Sequence, residues 1–450
     1  MQLHQAFPLK LIKKVFFTSL PIMISIFSTM GLGLVDTIIL GHISPVELAA
    51  VAIGGGAYII VLFGLCGITQ AVAPFAGYSY GAKRFVSAGI ILQQTIWLTL
   101  FLIIPAILLL IFPEWYLSWT NIPKDVGELT RLYLFLLAFA IPATLLYRTF
   151  YAFFGAIGKT KILMIIGICG FIIHCCLASY LTIISDLKLG IVGCAISNIF
   201  MSWSELLLTF LWVSKNKDIQ KFEIFKTYYL PNLKKWKNLL KVGLPISIIS
   251  VIETSTFVCV TVIIAELGAE VISAYRLMST FGSLLYTLPF AVGITILGEV
   301  SQALGEKNSN KIYQLTFISL FFAIIVSLIL IATVMLFGET FLRLNTDNEN
   351  ILLYALPLLP LLASYQLFDA LQTIGIYILR AYKITFIPML IQLGSLWGIG
   401  LLCGYFLCFE YNYGIRGFWI SMTAALLLTS IIVIALVVYI TKQICEEINA

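Results

Sequence analysis

Apolar residues in this chain fall into twelve long blocks separated by short polar breaks, at about residues 14–40, 47–79, 88–112, 129–155, 161–185, 189–214, 242–265, 271–302, 312–337, 351–379, 384–409 and 416–441. A helix needs about 20 apolar residues to cross the hydrocarbon core of a bilayer, and a spanning strand needs about half as many. Blocks this long suit helices and not the strands of a barrel. The pattern therefore predicts an all-α membrane protein with twelve transmembrane helices, spans one to twelve.

Composition agrees with the pattern. The chain is 61% hydrophobic and 11% charged, with a mean hydropathy of +1.04. A soluble domain carries about 25% charged residues. The first apolar block is too long for a cleavable signal peptide and lacks a small-residue exit site, so it anchors the chain. The nine cysteines are scattered without a CxxC pair, and the adjacent Cys175 and Cys176 read as membrane-core filler.

The placement of charge fixes a topology. With both termini on the cytoplasmic side, inner connections carry 20 Lys and Arg, outer connections carry 6, and Arg148 lies within span four. Basic residues concentrate on the cytoplasmic side of membrane proteins. The net charge of +6 thus reflects orientation and contact with anionic membrane lipids, and does not call for nucleic acid.

The segment 215–241 is the longest polar connection, and it divides the chain into an N-terminal lobe (1–214), a basic cytoplasmic linker (215–241) and a C-terminal lobe (242–450). The halves align. "SLPIMIS" at 19–25 matches "GLPISII" at 243–249, placing Pro21 on Pro245 at an offset of 224. The same offset places Gly81 on Gly305 and Lys159 on Lys383. Six spans per half bring both halves in from the same side, which makes a parallel repeat of two six-helix bundles.

A carboxylate at the bilayer centre costs roughly 2.5–3.5 kcal/mol on insertion scales. Five acids nevertheless fall within spans: Asp36, Glu205, Glu253, Glu299 and Asp369. Glu253 in span seven and Asp369 in span ten share a depth of about 15–17 Å from the inner surface at 1.5 Å per residue. Two carboxylates at one depth, if they face each other, cannot both stay charged and dry: one takes a proton or a cation binds between them, which is the chemistry of ion coupling. Asp36 lies about 6 Å from the outer end of span one, where a cavity could wet it. Glu299 is expected to snorkel from the inner end of span eight. Glu205 is expected to bond Ser202 or Ser204. His174, alone in span five, reads as a helix contact or as a proton carrier.

No P-loop, HExxH or GxSxG motif occurs, so the sequence supplies neither an ATP motor nor an enzyme active site. An ion gradient is the remaining source of energy.

The stretches "GLVDTIILGHISPVELAAVAIGGG", "GITQAVAPFAGYSYGAKR", "LPISIISVIETSTF" and "LFDALQTIGIYILRAYKITFIPM" make the chain similar to the multidrug and toxic compound extrusion (MATE) family, in its bacterial NorM-like branch. The resemblance implies two six-helix lobes around a central cavity. It implies antiport of cationic amphiphilic small molecules against Na+ or H+, with no further cofactor, by a monomer in the bacterial inner membrane. Glu253 and Asp369 match the family's second-lobe cation-site acids, candidates to hold Na+. Tyr365 matches an aromatic lining that site, and Asp36 matches the first-lobe acid of proton or substrate binding. The family often has two Asn four apart in span five, where this chain has Cys175 and Ser179. The same superfamily offers an alternative, a flippase for a lipid-linked oligosaccharide. Such an anionic cargo calls for a cavity rich in Arg and Lys, whereas the deep charges here are mostly acids.

Overall fold

The computed structural model describes residues 9–118, 122–184 and 188–450. The described residues are helical almost throughout, with no strand among them. Eleven helices are long and apolar enough to span a membrane, and a bent pair supplies a twelfth. The spans are Leu9–Gly41, Pro45–Gly81, Phe85–Ile111, the pair Lys124–Leu137 and Ile141–Ala156, Thr160–Ile184, Ile191–Lys215, Leu233–Leu267, Ala269–Gly305, Ser309–Asn345, Glu349–Ala381, Phe386–Glu410 and Ile415–Asn449. Each coincides with one apolar block. The expected end of span five at 185 lies outside the described residues.

Local chemistry sets several ends. Ser44 caps span two by accepting from Glu47 N, and Pro45 occupies the first turn, where its missing N–H costs nothing. Glu47 also reaches span six, its Oε2 accepting from Ile191 N at 2.6 Å. Gly190 has φ +50°, and a Cβ there would overlap that carboxylate. Span four bends by 53° between Leu137 and Ile141, just before Pro142. Span one runs unbroken through Pro21, and Gly31 leaves room for the Phe171 ring of span five.

The chain forms two compact units, with boundaries inside spans one and seven. One is Leu20–Ser247 and the other joins span one up to Ser19 with Ile248–Ala450. The first unit includes all of 215–241. There Phe222 is buried against Tyr80, Phe85 and Phe153, with ring centroids 5.4–6.0 Å apart. Two amides of span three hold the backbone that follows. Gln93 Nε2 donates to Ile224 O (2.6 Å) and Thr227 O (2.7 Å), and its Oε1 accepts from Tyr229 N (3.0 Å). Gln94 Nε2 donates to Leu230 O (2.8 Å), and its Oε1 accepts from Asn232 N (2.7 Å). The segment is thus a strap fitted to its unit. Between Ile224 and Asn232, outside any helix, its peptide groups need these side-chain bonds.

In the second unit, span ten packs closely against spans eight and twelve. Gly293 faces the Tyr377 ring and Gly375 faces Val433, so small residues let the helix backbones approach. Tyr275, Phe418 and Trp419 fill the core beside them. Span eleven changes character after Gln392. Leu393–Cys403 is π-helical, and Ser421 Oγ donates to Gly400 O at 2.8 Å. Such widened turns often accompany functional sites.

Glu299 does not snorkel. It is 2% exposed and pairs with Lys14 of span one at 2.6 Å. The Lys14 side chain is 48% exposed, so it brings its charge in from the edge. Removing the cation alone strands a buried carboxylate, which costs about 3–5 kcal/mol for a fully buried pair and less for this half-open one. Lys14→Met should therefore lower the melting temperature in detergent, and adding Glu299→Gln should restore much of it. A double variant that melts no higher than Lys14→Met shows that the pair carries no such coupling.

Candidate functional site

Within the second unit the structure brings Glu253, Asp369 and Tyr365 into one neighbourhood. Glu253 is half-buried in span seven and Asp369 is 7% exposed in span ten. Two glutamines join the two acids. Gln392 Nε2 donates to Glu253 Oε1 (3.1 Å) and to Gln372 Oε1 (3.2 Å). Gln372 Nε2 then donates to Asp369 Oδ1 (3.0 Å). Spans seven, eleven and ten thus contribute one connected polar row. Gln392 Oε1 is buried without a hydrogen-bond partner among the described residues. An orphaned buried acceptor costs about 1–3 kcal/mol, and a cation would satisfy it.

Tyr365 precedes Asp369 by one helical turn, on the same face. Its ring lies edge-on to Trp419 (5.6 Å) and Phe257 (6.4 Å), and it feels the charge of both acids. Tyr286 of span eight feels the charge of both acids. Arg380, buried at 7% exposure, stacks over Tyr377 at 4.5 Å and lies within electrostatic reach of Glu253. No cluster of three or more His, Cys, Asp or Glu is placed to hold a metal ion among the described residues. The donors offered by this row are carboxylate and amide oxygens, which suit a hard cation and not a transition metal.

Asp36 belongs to the other unit and is not an interfacial acid reaching water. It is 3% exposed, and its Oδ1 lies 3.0 Å from Nε2 of His174, which is 0% exposed. His174 thus supplies the span-five partner of Asp36. The Cys194 thiol of span six sits beside the same carboxyl, and Tyr133 of span four feels its charge.

Glu205, also buried, lies within electrostatic reach of Arg148 of span four. Neither expected bond, to Ser202 or to Ser204, is formed; Ser202 Oγ accepts from Thr144 instead, at 3.1 Å.

The sequence reading singled out the acids and missed the amides. Gln372 and Gln392 carry no charge, and their only signal is a polar residue inside an apolar block. Lys14 is one of several basic residues flanking span one, and nothing in the sequence marks its pairing with Glu299.

Comparisons with known proteins fit this geometry. The MatE family model matches residues 21–180 and 245–406. The two matches start 224 residues apart (245 less 21), the offset of the internal repeat. A probable multidrug resistance protein NorM of Aromatoleum aromaticum is 35% identical over 428 residues, 93% of this chain and 92% of that protein. The multidrug resistance protein NorM of Vibrio vulnificus strain YJ016 is 28% identical over 414 residues, 90% of each chain. Among solved structures, the eukaryotic MATE transporter AtDTX14 superposes with a TM-score of 0.87 at 20% identity, covering 98% of both chains. An outward-facing multidrug resistance MATE transporter gives a TM-score of 0.88 at 17% identity over 96% of both. These two establish the fold. Matched twice by the family model and along most of its length by a 35%-identical relative, the chain belongs to the MatE family of membrane transporters.

Proposed function

We propose that this protein is a secondary multidrug efflux antiporter of the bacterial inner membrane, with both termini cytoplasmic. It exports cationic amphiphilic molecules by alternating access in exchange for Na+ or H+, and works as a monomer of two lobes, 1–214 and 242–450. The observation that carries this reading is the buried row Glu253–Gln392–Gln372–Asp369, whose orphaned amide oxygen and two carboxylates invite a cation. Relatives named as multidrug resistance proteins support the substrate class. Tyr365, one helical turn from Asp369, suits a cation with apolar surface, since aromatic faces attract desolvated cations by about 2 kcal/mol. The acids Asp36, Glu205, Glu253 and Asp369 are poor company for the anionic cargo of a lipid-linked oligosaccharide flippase.

The test is ethidium efflux from energised vesicles containing the full chain, with sodium and proton gradients imposed separately. One gradient or both should drive efflux, since a charge moving down 100 mV releases about 2.3 kcal/mol. Dye movement unchanged when both gradients are collapsed would rule out the antiporter.

A further inference from the structure

Asp36 and His174 form a pair with no counterpart among the described residues of the second unit. They meet at 3.0 Å, and both are buried. A carboxylate only accepts hydrogen bonds, so while Asp36 is ionised the imidazole carries its hydrogen on Nε2. Nδ1 is then a bare lone pair. It is buried without a partner among the described residues. A free imidazole lone pair is a base that can take up and release a proton.

Resting on the antiport reading above, we propose that Asp36 and His174 form a proton-binding dyad and that His174 makes the site of this lobe select H+ over Na+. The exchange is simple. A proton bonds to Nδ1, and the dyad passes from carboxylate plus neutral imidazole, net −1, to carboxylate plus imidazolium, net zero. Loss of the proton on the other side of the membrane restores the charge. An organic cation beside Asp36 can replace the proton's charge, so the two compete for one carboxylate.

Sodium fits this place poorly. The Nε2 hydrogen already occupies Oδ1 and points positive charge at it. The neighbouring Cys194 and Cys175 present sulfur, a soft ligand, where sodium needs oxygen. The other titratable or charged groups facing the dyad are few. Tyr133 of span four and Glu47 at the start of span two lie around Asp36 and Cys194. One turn from His174, Gly170 packs against Glu205, which carries Arg148 and Tyr147 with it. The glutamine-bridged row of the second unit contains no imidazole, so the two lobes differ in the ion each can hold.

The experiment uses the full chain in proteoliposomes loaded with ethidium. A proton gradient in sodium-free buffer should drive efflux by the parent protein. His174→Gln keeps an N–H that can donate to Asp36 and has no basic lone pair. It should lose proton-driven efflux by about a hundred-fold, the scale of a lost proton-transfer group. Its residual flux should lose the parent's dependence on pH. Its melting temperature and its ethidium binding in detergent should stay near the parent's. Parent-like flux and pH profile in His174→Gln would overturn the proposal. If that variant does not fold, the parent alone decides: efflux driven by sodium but not by protons overturns the proposal. A parent that ignores both gradients removes the antiport reading, and this inference falls with it.

Discussion

Replacing Asp369 by Asn should stop gradient-driven ethidium efflux while leaving the protein inserted and folded. The carboxylate accepts one hydrogen bond, from Gln372 Nε2 at 3.0 Å. An asparagine Oδ1 can accept the same bond, so the amide row keeps its shape and loses one negative charge. A unit charge about 4 Å away contributes roughly 4 kcal/mol at the effective dielectric of a partly solvated site. That corresponds to about a thousand-fold in cation affinity. Flux should therefore fall to the passive leak, measured in vesicles beside a melting curve in detergent. Efflux within a factor of two of the parent would remove Asp369 from the coupling step.

The second large effect concerns folding. Gly89→Ala should destabilise the first unit and loosen its strap. A Cβ at position 89 would overlap the Phe222 carbonyl oxygen, which is backbone and has no rotamer to yield. The chain just beyond is fixed by three hydrogen bonds to Gln93, so the strap cannot retreat without breaking them. Overpacking of this kind costs typically 1–3 kcal/mol. The melting temperature should drop, and trypsin should cut faster among the eight lysines of 215–241. Gly55→Ala is the control, because a Cβ there meets nothing within 4 Å. An equal melting temperature for both variants would show that the strap is not held by this contact.

The spans were legible in the sequence because a bilayer leaves the backbone little choice. Apolar blocks of this length form helices, and all twelve do. The 53° bend in span four was hidden inside one continuous block, with Pro142 as its sole mark. The strap was less legible still. Its lysines announced a polar connection, whereas its fit depends on Gln93, Gln94 and Phe222, which look unexceptional in sequence.

Of the candidate sites, the charged half could be read and the neutral half could not. An acid in an apolar helix is costly enough to stand out, which is why Asp36, Glu253 and Asp369 drew notice. A buried amide costs less and hides among ordinary polar residues, as Gln372 and Gln392 did. Depth along a helix also misled. Asp36 lies near a helix end by residue count, yet lateral packing against His174, 138 residues away, buries it. Counting along one helix cannot reveal what covers its side.

The Lys14–Glu299 pair also sets a clock on biosynthesis. Its partners are 285 residues apart in the chain. At ribosomal rates of about 5–20 residues per second, the first helix waits roughly 15–60 s for its partner to be made. A chain interrupted before span eight therefore presents an unmatched lysine at the start of its first helix, a mark by which quality control could tell unfinished protein from finished.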